Sequence, residues 1–404
     1  MVDGGFGEGI CALKKNCSHF SYYDIIIVVI GKASRKIIEL IGEVPIVLIT
    51  QALVLILDLL DIVLRPFVKG TTDQTKVVIE AGSRGWDSNF FCELLISAGE
   101  FFGSENVLRL TILPNEDRLK QLKHSIIGNK VRFLIYDPRT DNRDSIYDLY
   151  DALLVSIYCR LRGIRVIAYL TDPSITLWRL QSIIASRANG SIVTPMSNEK
   201  LGWLVWRIKI SGPLPMPISI RTSMFMRGRL LESTRNFDGI ESLTFRGSLY
   251  RPRLTFFANL NTILEQKGSP LRLIANSKDE SLISTADYWN ALIDNAVCIT
   301  TTFQVVPQGI RADRPWINQM VFRISEALAA GNLLFSSPCP GLEELFERGK
   351  HYVEYKDEED LANQIIFYAS NTIEATKIRL EGNAQMFNLI SQQFFWREVI
   401  KSMY

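Results

Sequence analysis

The feature that most constrains this chain is an alternation of short apolar runs with amphipathic stretches, which begins at Lys76 and continues almost to the end. Lys76–Gly82, KVVIEAG, has the near-continuous apolar character of a strand covered on both faces, and it runs into the Gly-rich turn Gly82-Ser83-Arg84-Gly85. The spacing then predicts a helix over about Ser88–Phe102. Further strands are predicted at Val107–Leu113, Val131–Tyr136, Val166–Leu170 and Ser191–Thr194. The clearest helix among them is predicted over Asp144–Arg162, with Gly163 as its C-cap. Strands separated by helices imply βαβ units and a mostly parallel sheet.

The pattern breaks once. Ser211–Ile220, SGPLPMPISI, carries three prolines in alternation, so it can be neither a helix interior nor a central strand. With the polar stretch to Asp238 it reads as an interdomain linker. The alternation then resumes, with strands predicted at Leu243–Arg246, Leu271–Ala275, Val297–Thr301, Leu333–Ser336 and His351–Tyr355. Helices are predicted between them, including Gln319–Ala330, a short one at Leu342–Glu347, and one aromatic-rich tail helix over Ala384–Lys401. The fold class is therefore α/β, with two doubly wound, Rossmann-like domains over residues 71–237 and 238–404. The 404 residues suffice for two such cores. Ligands of doubly wound sheets bind beyond the carboxyl ends of the strands, so the expected site is the cleft where the two sheets face each other.

Residues 1–70 form a hydrophobic preface that is expected to be helical. The run Val44–Leu64 is long enough to cross a bilayer, at about 20 residues. It also contains Asp58 and Asp61, and a central Asp costs roughly 2.5–3.5 kcal/mol on insertion. On a helix, Gln51, Asp58, Asp61 and Arg65 form one narrow polar stripe. Three readings stay open: a helix packed on the body, a helix lying in a membrane surface through residues 44–68, and a span. The first residues lack the order of a secretory signal, so a cytoplasmic protein, free or peripheral to a membrane, is expected.

Composition excludes several classes. The net charge of +2 gives no global field for nucleic acid. The six cysteines form no CxxC pair, and Cys92, Cys159 and Cys298 sit in apolar runs as buried thiols, which suits a reducing compartment. His19, His124 and His351 show no paired ligand spacing, so no metal site is expected. Neither GxSxG nor GxxxxGK[ST] occurs, which disfavours a hydrolase or a P-loop enzyme.

The chemistry concentrates in Phe322–Gly349, FRISEALAAGNLLFSSPCPGLEELFERG. On the predicted helix, Arg323 and Glu326 stand one turn apart. A carboxylate there can accept two hydroxyls of a diol, and an arginine can fork onto a phosphate; the same pair also occurs as an ordinary helical ion pair. This stretch resembles the C-terminal domain of GT-B glycosyltransferases, and Phe245–Arg253, FRGSLYRPR, is similar to a loop of the spore-maturation-protein-type branch. The resemblance runs from roughly Thr75 to the end and is specific in the second half.

The resemblance implies a GT-B fold and a hexosyltransferase-type enzyme that takes a nucleoside diphosphate sugar, with no further cofactor, and passes the sugar to a glycan, lipid or protein acceptor. It implies that Glu326 holds the donor ribose, that Gly247, Ser248, Arg251, Arg253 and Arg323 serve the diphosphate, and that Gly341 and Leu342 lie beside the donor. Retaining members carry a further Glu eight positions before the ribose Glu, where this chain has Asn318. Metal-dependent sugar transferases of the other major fold use Asp-x-Asp, which is absent here. The base is expected from the first domain, at the carboxyl end of a strand: Asp87 or Asp172. Each could instead be a cap or turn residue. A sugar-nucleotide epimerase of the same fold and a catalytically silent membrane-associated scaffold are the alternative functions.

Overall fold

The computed structural model describes residues 55–59, 75–82, 88–112, 117–138, 146–171, 176–187, 190–195, 208–233, 240, 242–245, 253–269, 272–275, 285–301 and 319–404. The first sheet contains β1 (Lys76–Gly82), β2 (Val107–Ile112), β3 (Val131–Tyr136), β4 (Arg165–Tyr169), β5 (Gly190–Val193) and β6 (Lys209–Ser211) in the order β2-β1-β3-β4-β5-β6. The second contains β7 (Ser242–Phe245), β8 (Arg272–Ala275), β9 (Val297–Thr300), β10 (Leu333–Ser336) and β11 (Val353–Glu354) in the order β11-β10-β9-β7-β8. The strand pairs of both sheets are parallel. The run of fully buried residues in β3, β4 and β9 follows from helices on both faces, as the unbroken apolar runs require.

In the first half the helices are α1 (Ser88–Phe102), α2 (Arg118–Ile126), α3 (Ile146–Leu161) and α4 (Thr176–Ser186). In the second half they are α5 (Ile220–Ser233), α6 (Arg253–Gln266), α7 (Thr285–Ile293), α8 (Phe322–Ala330), α9 (Glu358–Ser370), α10 (Thr372–Ser391) and α11 (Phe394–Lys401). Each sheet has a hydrophobic cluster on either side.

Three expectations change. The stretch read as linker up to Asp238 contains α5, because only Ser211–Ser219 holds the prolines that exclude a helix. The single tail helix is two helices, broken at Gln392–Gln393, where Gln393 adopts φ 52°. The predicted short helix at Leu342–Glu347 is one 3₁₀ turn over Leu342–Glu344. Of the expected N-terminal helix, only residues 55–59 are described; they are helical, and the remainder of 1–70 lies outside the described residues. Leu57 is buried in the first core, and Asp58 receives two hydrogen bonds from Arg187, Nε to Oδ1 at 3.1 Å and Nη2 to Oδ2 at 2.9 Å. Among the described residues no helix is long and apolar enough to cross a membrane.

Two features join the halves. The helix α11 comes back to the first sheet: Phe395, Trp396 and Val399 are buried in the same cluster as Val77, Ile79 and Ile135. Trp396 stands edge-on to Phe102 at 5.3 Å, and its indole N–H donates to Ser97 Oγ at 3.2 Å. The second feature is the start of α5. Its leading N–H groups need acceptors, since a helix cannot satisfy them internally. Ser219 Oγ accepts from Thr222 N at 3.1 Å, as an N-cap does. The other acceptors come from α1: Glu93 Oε2 takes the Ser219 N–H at 2.8 Å, and Glu100 takes those of Ile220 and Arg221 at 2.7 and 3.0 Å. Both carboxylates also meet the positive end of the helix dipole.

Glu93 is 3% exposed. Burial pushes its carboxyl above the ordinary glutamate range and the charge of Glu100 adds to this, while hydrogen bonds from Ser219 and Thr222 oppose it. Unfolded, Glu93 ionises near about pH 4.3. Folded, it holds its proton to higher pH, so its stabilising share is complete at low pH and is lost as pH rises through the folded value. Thermal melts between pH 4.5 and 7 should therefore show Glu93→Gln with a shallower loss of stability on raising pH than the wild type. Parallel slopes for the two proteins would rule out this role.

Candidate functional site

The helix α8 and its neighbours define a polar site at the carboxyl edge of the second sheet. α8 follows β9, so its first turn, Phe322–Ser325, lies where ligands of parallel sheets are bound. Its small residues Ala327, Ala329 and Ala330 let it sit deep in the core, buried together with Ile324 and Leu328. Its far end is fixed by α10. Arg379 Nε donates to Gly331 O at 2.8 Å, and Asn383 Nδ2 donates to Leu328 O and Ala329 O at 3.1 and 2.7 Å. Gly331 itself closes the helix in the left-handed region, at φ 74°.

With its C-terminus clamped, α8 presents Arg323 and Glu326 to one another. Arg323 Nη1 lies 2.7 Å from Glu326 Oε2, with side-chain exposures of 15% and 1%. A third member comes from α7: Tyr288 donates its hydroxyl hydrogen to the same Oε2 at 2.5 Å. Arg323 Nη1 in turn donates to the Tyr288 hydroxyl, and its guanidinium lies over the Tyr288 ring at 5.0 Å. Both of these contacts on the carboxylate fall on Oε2.

Burial raises the Glu326 pKa, against the charge of Arg323 and the Tyr288 hydrogen bond, and the carboxylate of Glu93 raises it further. Burial acts to lower Arg323, but Glu326 and Tyr288 outweigh it and leave the guanidinium above its ordinary value. Burial also keeps Tyr288 protonated, well above the usual phenol range.

On the other side of the sheet, Arg253 opens α6 at the carboxyl end of β7. Its Nε donates to Thr301 Oγ1 at 2.9 Å, and its guanidinium lies 5.5 Å from the Phe245 ring. Tyr355 OH donates to Thr300 O at 2.9 Å and so ties β9 to the chain beyond β11. Arg253, Arg323 and Glu326 thus share the carboxyl edge of one sheet. Gly341 has φ 91°, and a Cβ built there would lie 2.4 Å from Pro213 Cγ, so the turn after β10 packs directly on the linker. Leu342 is a fully buried member of the second half's core, with its N–H donated to Cys339 O at 3.0 Å.

Gly247, Ser248, Arg251, Asp87, Asp172 and Asn318 lie outside the described residues. The first sheet's carboxyl edge is organised by a wholly buried network. Arg118 donates Nη2 to Glu80 Oε2 at 3.0 Å and to Asp137 O at 2.8 Å, and Nη1 to Tyr136 OH at 3.0 Å. Asp137 N donates to Glu80 Oε2 at 3.1 Å. This fixes the ends of β1 and β3. An apolar pocket between α1, the linker and α10–α11 is lined by Ser97, Met216, Met386, Leu389 and Phe394, and no predicted site residue borders it.

Sequence reasoning missed Tyr288 and Glu93. Tyr288 sits in an apolar helical pattern with no spacing signal, and Glu93 is one carboxylate within an apolar helix. An acidic residue amid SNFFCELLISAGEFF was the available hint that α1 meets something polar.

Residues 260–398 match a family model described as glycosyl transferase-like. No curated protein matches the chain by sequence. A glycosyltransferase from Rickettsia africae is similar in structure at a TM-score of 0.50 and 10% identity, over 82% of this chain and 98% of that one. HepE from Anabaena, in complex with UDP and glucose, is similar at a TM-score of 0.48 and 14% identity, over 81% of this chain and 100% of that one. A sucrose-phosphate synthase from Thermosynechococcus elongatus is similar at a TM-score of 0.47 and 10% identity, over 82% and 99%. At such identities likeness speaks for fold. The chain has an α/β architecture of parallel sheets, similar in fold to the Rickettsia glycosyltransferase, and the glycosyl transferase-like match lies in its second half.

Replacing Gly341 by Ala should destabilise the protein by about 1–3 kcal/mol, since a left-handed non-glycine residue costs about 1–2 kcal/mol and the methyl group meets Pro213. Denaturant midpoints measure this. A change within about 0.5 kcal/mol, the range of an ordinary surface substitution, would contradict it.

Proposed function

We propose that this chain is a glycosyltransferase of GT-B type that moves a hexosyl group from a nucleoside diphosphate sugar to a glycan, lipid or protein acceptor without a metal ion. The observation that carries this reading is Glu326: a carboxylate 1% exposed, held together with Arg323 and Tyr288 at the carboxyl edge of the second sheet and within the glycosyl transferase-like match. A vicinal diol such as ribose suits it, because a carboxylate can accept from two hydroxyls at once.

Departure of the sugar leaves negative charge on the diphosphate, and preorganised positive groups stabilise it. Arg253 and Arg323, each in the first turn of a helix, supply charge beside the positive end of a helix dipole. Gly247, Ser248 and Arg251 complete the diphosphate cradle in this reading, and the Gly341–Leu342 turn forms the wall beside the donor. Asp87 or Asp172 deprotonates the acceptor. The FRGSLYRPR run supports the spore-maturation-type branch. The free thiols Cys92, Cys159, Cys298 and Cys339 suit a cytoplasmic protein. Contact with a membrane surface through residues 44–68 is supported by Leu55 and Leu59, which are 63% and 64% exposed one turn apart while Leu57 and Asp58 face the body.

A thermal-shift screen with UDP, GDP, ADP and CDP tests the reading. The preferred nucleotide at about 100 times its Kd should stabilise the protein by about 2.7 kcal/mol. No shift with any of them would refute both the transferase and the epimerase and leave the scaffold. Hydrolysis or transfer of the sugar from the matching nucleotide-sugar, without epimerisation, separates the first two. Glu326→Ala should then lose both nucleotide binding and transfer.

A further inference from the structure

Tyr288 occupies the place on Glu326 that a ligand hydroxyl would need. Its hydroxyl gives Oε2 a hydrogen bond of 2.5 Å, the bond that an alcohol of a sugar ring would make. The same hydroxyl accepts from Arg323, so it ties together both charged members of the site. Glu326 is 1% exposed, and Tyr288 and Arg323 both contact its Oε2. Nor is the carboxylate starved of partners, as it would be if an empty site simply awaited ligand.

Trp289, Leu292 and Ile293 anchor α7 in the core beside α8, and Tyr288, in the first turn, is half-buried and packs against the same cluster. Displacing the Tyr288 hydroxyl would remove its bonds to both Oε2 and Arg323.

We infer that Tyr288 is a hydroxyl stand-in: it fills the diol site of Glu326 in the ligand-free protein, and the donor's ribose displaces it. This rests on the proposed role of Glu326 in donor binding. The stand-in makes entry selective. A ligand that expels Tyr288 must itself donate hydroxyl groups to Glu326, or it leaves a buried carboxylate without the bond it had. It also lowers the affinity of the correct ligand, which must first break the bond between Tyr288 and Glu326.

Calorimetric titration tests the idea with wild type and Tyr288→Phe, using whichever of UDP, GDP, ADP and CDP binds and its 2′,3′-dideoxy counterpart. A melt of the unliganded variant establishes that it is folded. The phenylalanine keeps the ring and removes the competing hydroxyl, so the variant should bind the ribonucleotide about tenfold more tightly, as expected for one hydrogen bond to a charged group. Unchanged or weaker binding by the variant would overturn the stand-in; weaker binding would make Tyr288 a residue that positions Glu326 for the ligand. The preference of the wild type for the ribo over the dideoxy form reports on Glu326 separately. Its absence would sink the diol reading and the stand-in together, and no nucleotide binding at all would sink the proposed function.

Discussion

The placement of the second sheet against the first depends on a helix start that cannot satisfy itself. The linker delivers α5 with its first N–H groups bare, and Glu93 and Glu100 of α1 accept them. An exposed ion pair would contribute little here. Hydrogen bonds from backbone amides to the buried Glu93 and to Glu100 contribute more and fix direction as well as distance. The return of α11 to the first core adds apolar area on the same side of the molecule. Together these contacts hold the second half against the first.

The same logic places the side chains of the candidate site. α8 is positioned from behind, by Arg379 and Asn383 on its last carbonyls and by Gly331 closing its final turn. Its first turn can then hold Arg323 and Glu326 in a buried pair completed by Tyr288. A buried charge pair of this kind is a weak source of stability, because desolvation offsets much of the attraction. The network of Glu80, Arg118 and Asp137 does the corresponding work at the first sheet, holding the ends of β1 and β3.

Much of the fold was legible in the sequence because both of its periods were strong. Unbroken apolar runs such as VVI in β1 and LLF in β10 identify strands covered on both faces, and Gly163 and Gly331 mark where helices must stop. The errors fell where local pattern carries little information. The prolines of Ser211–Ser219 hid the helix that follows at once, and the break at Gln393 requires a left-handed residue that glutamine does not advertise. For the site, Arg323 and Glu326 were visible through their spacing on one helix.

The sequence by itself determined the class of fold, the strand and helix order, and the pairing of Arg323 with Glu326, because all of these depend on periodicity and near neighbours along the chain. Only the tertiary structure decided that Tyr288 closes that pair, that Glu93 and Glu100 cap a helix more than a hundred residues away, and that Gly341 is needed against Pro213. Those contacts join segments with no shared period, and hydrogen bonding and close packing respond to distance in space rather than to position in the chain.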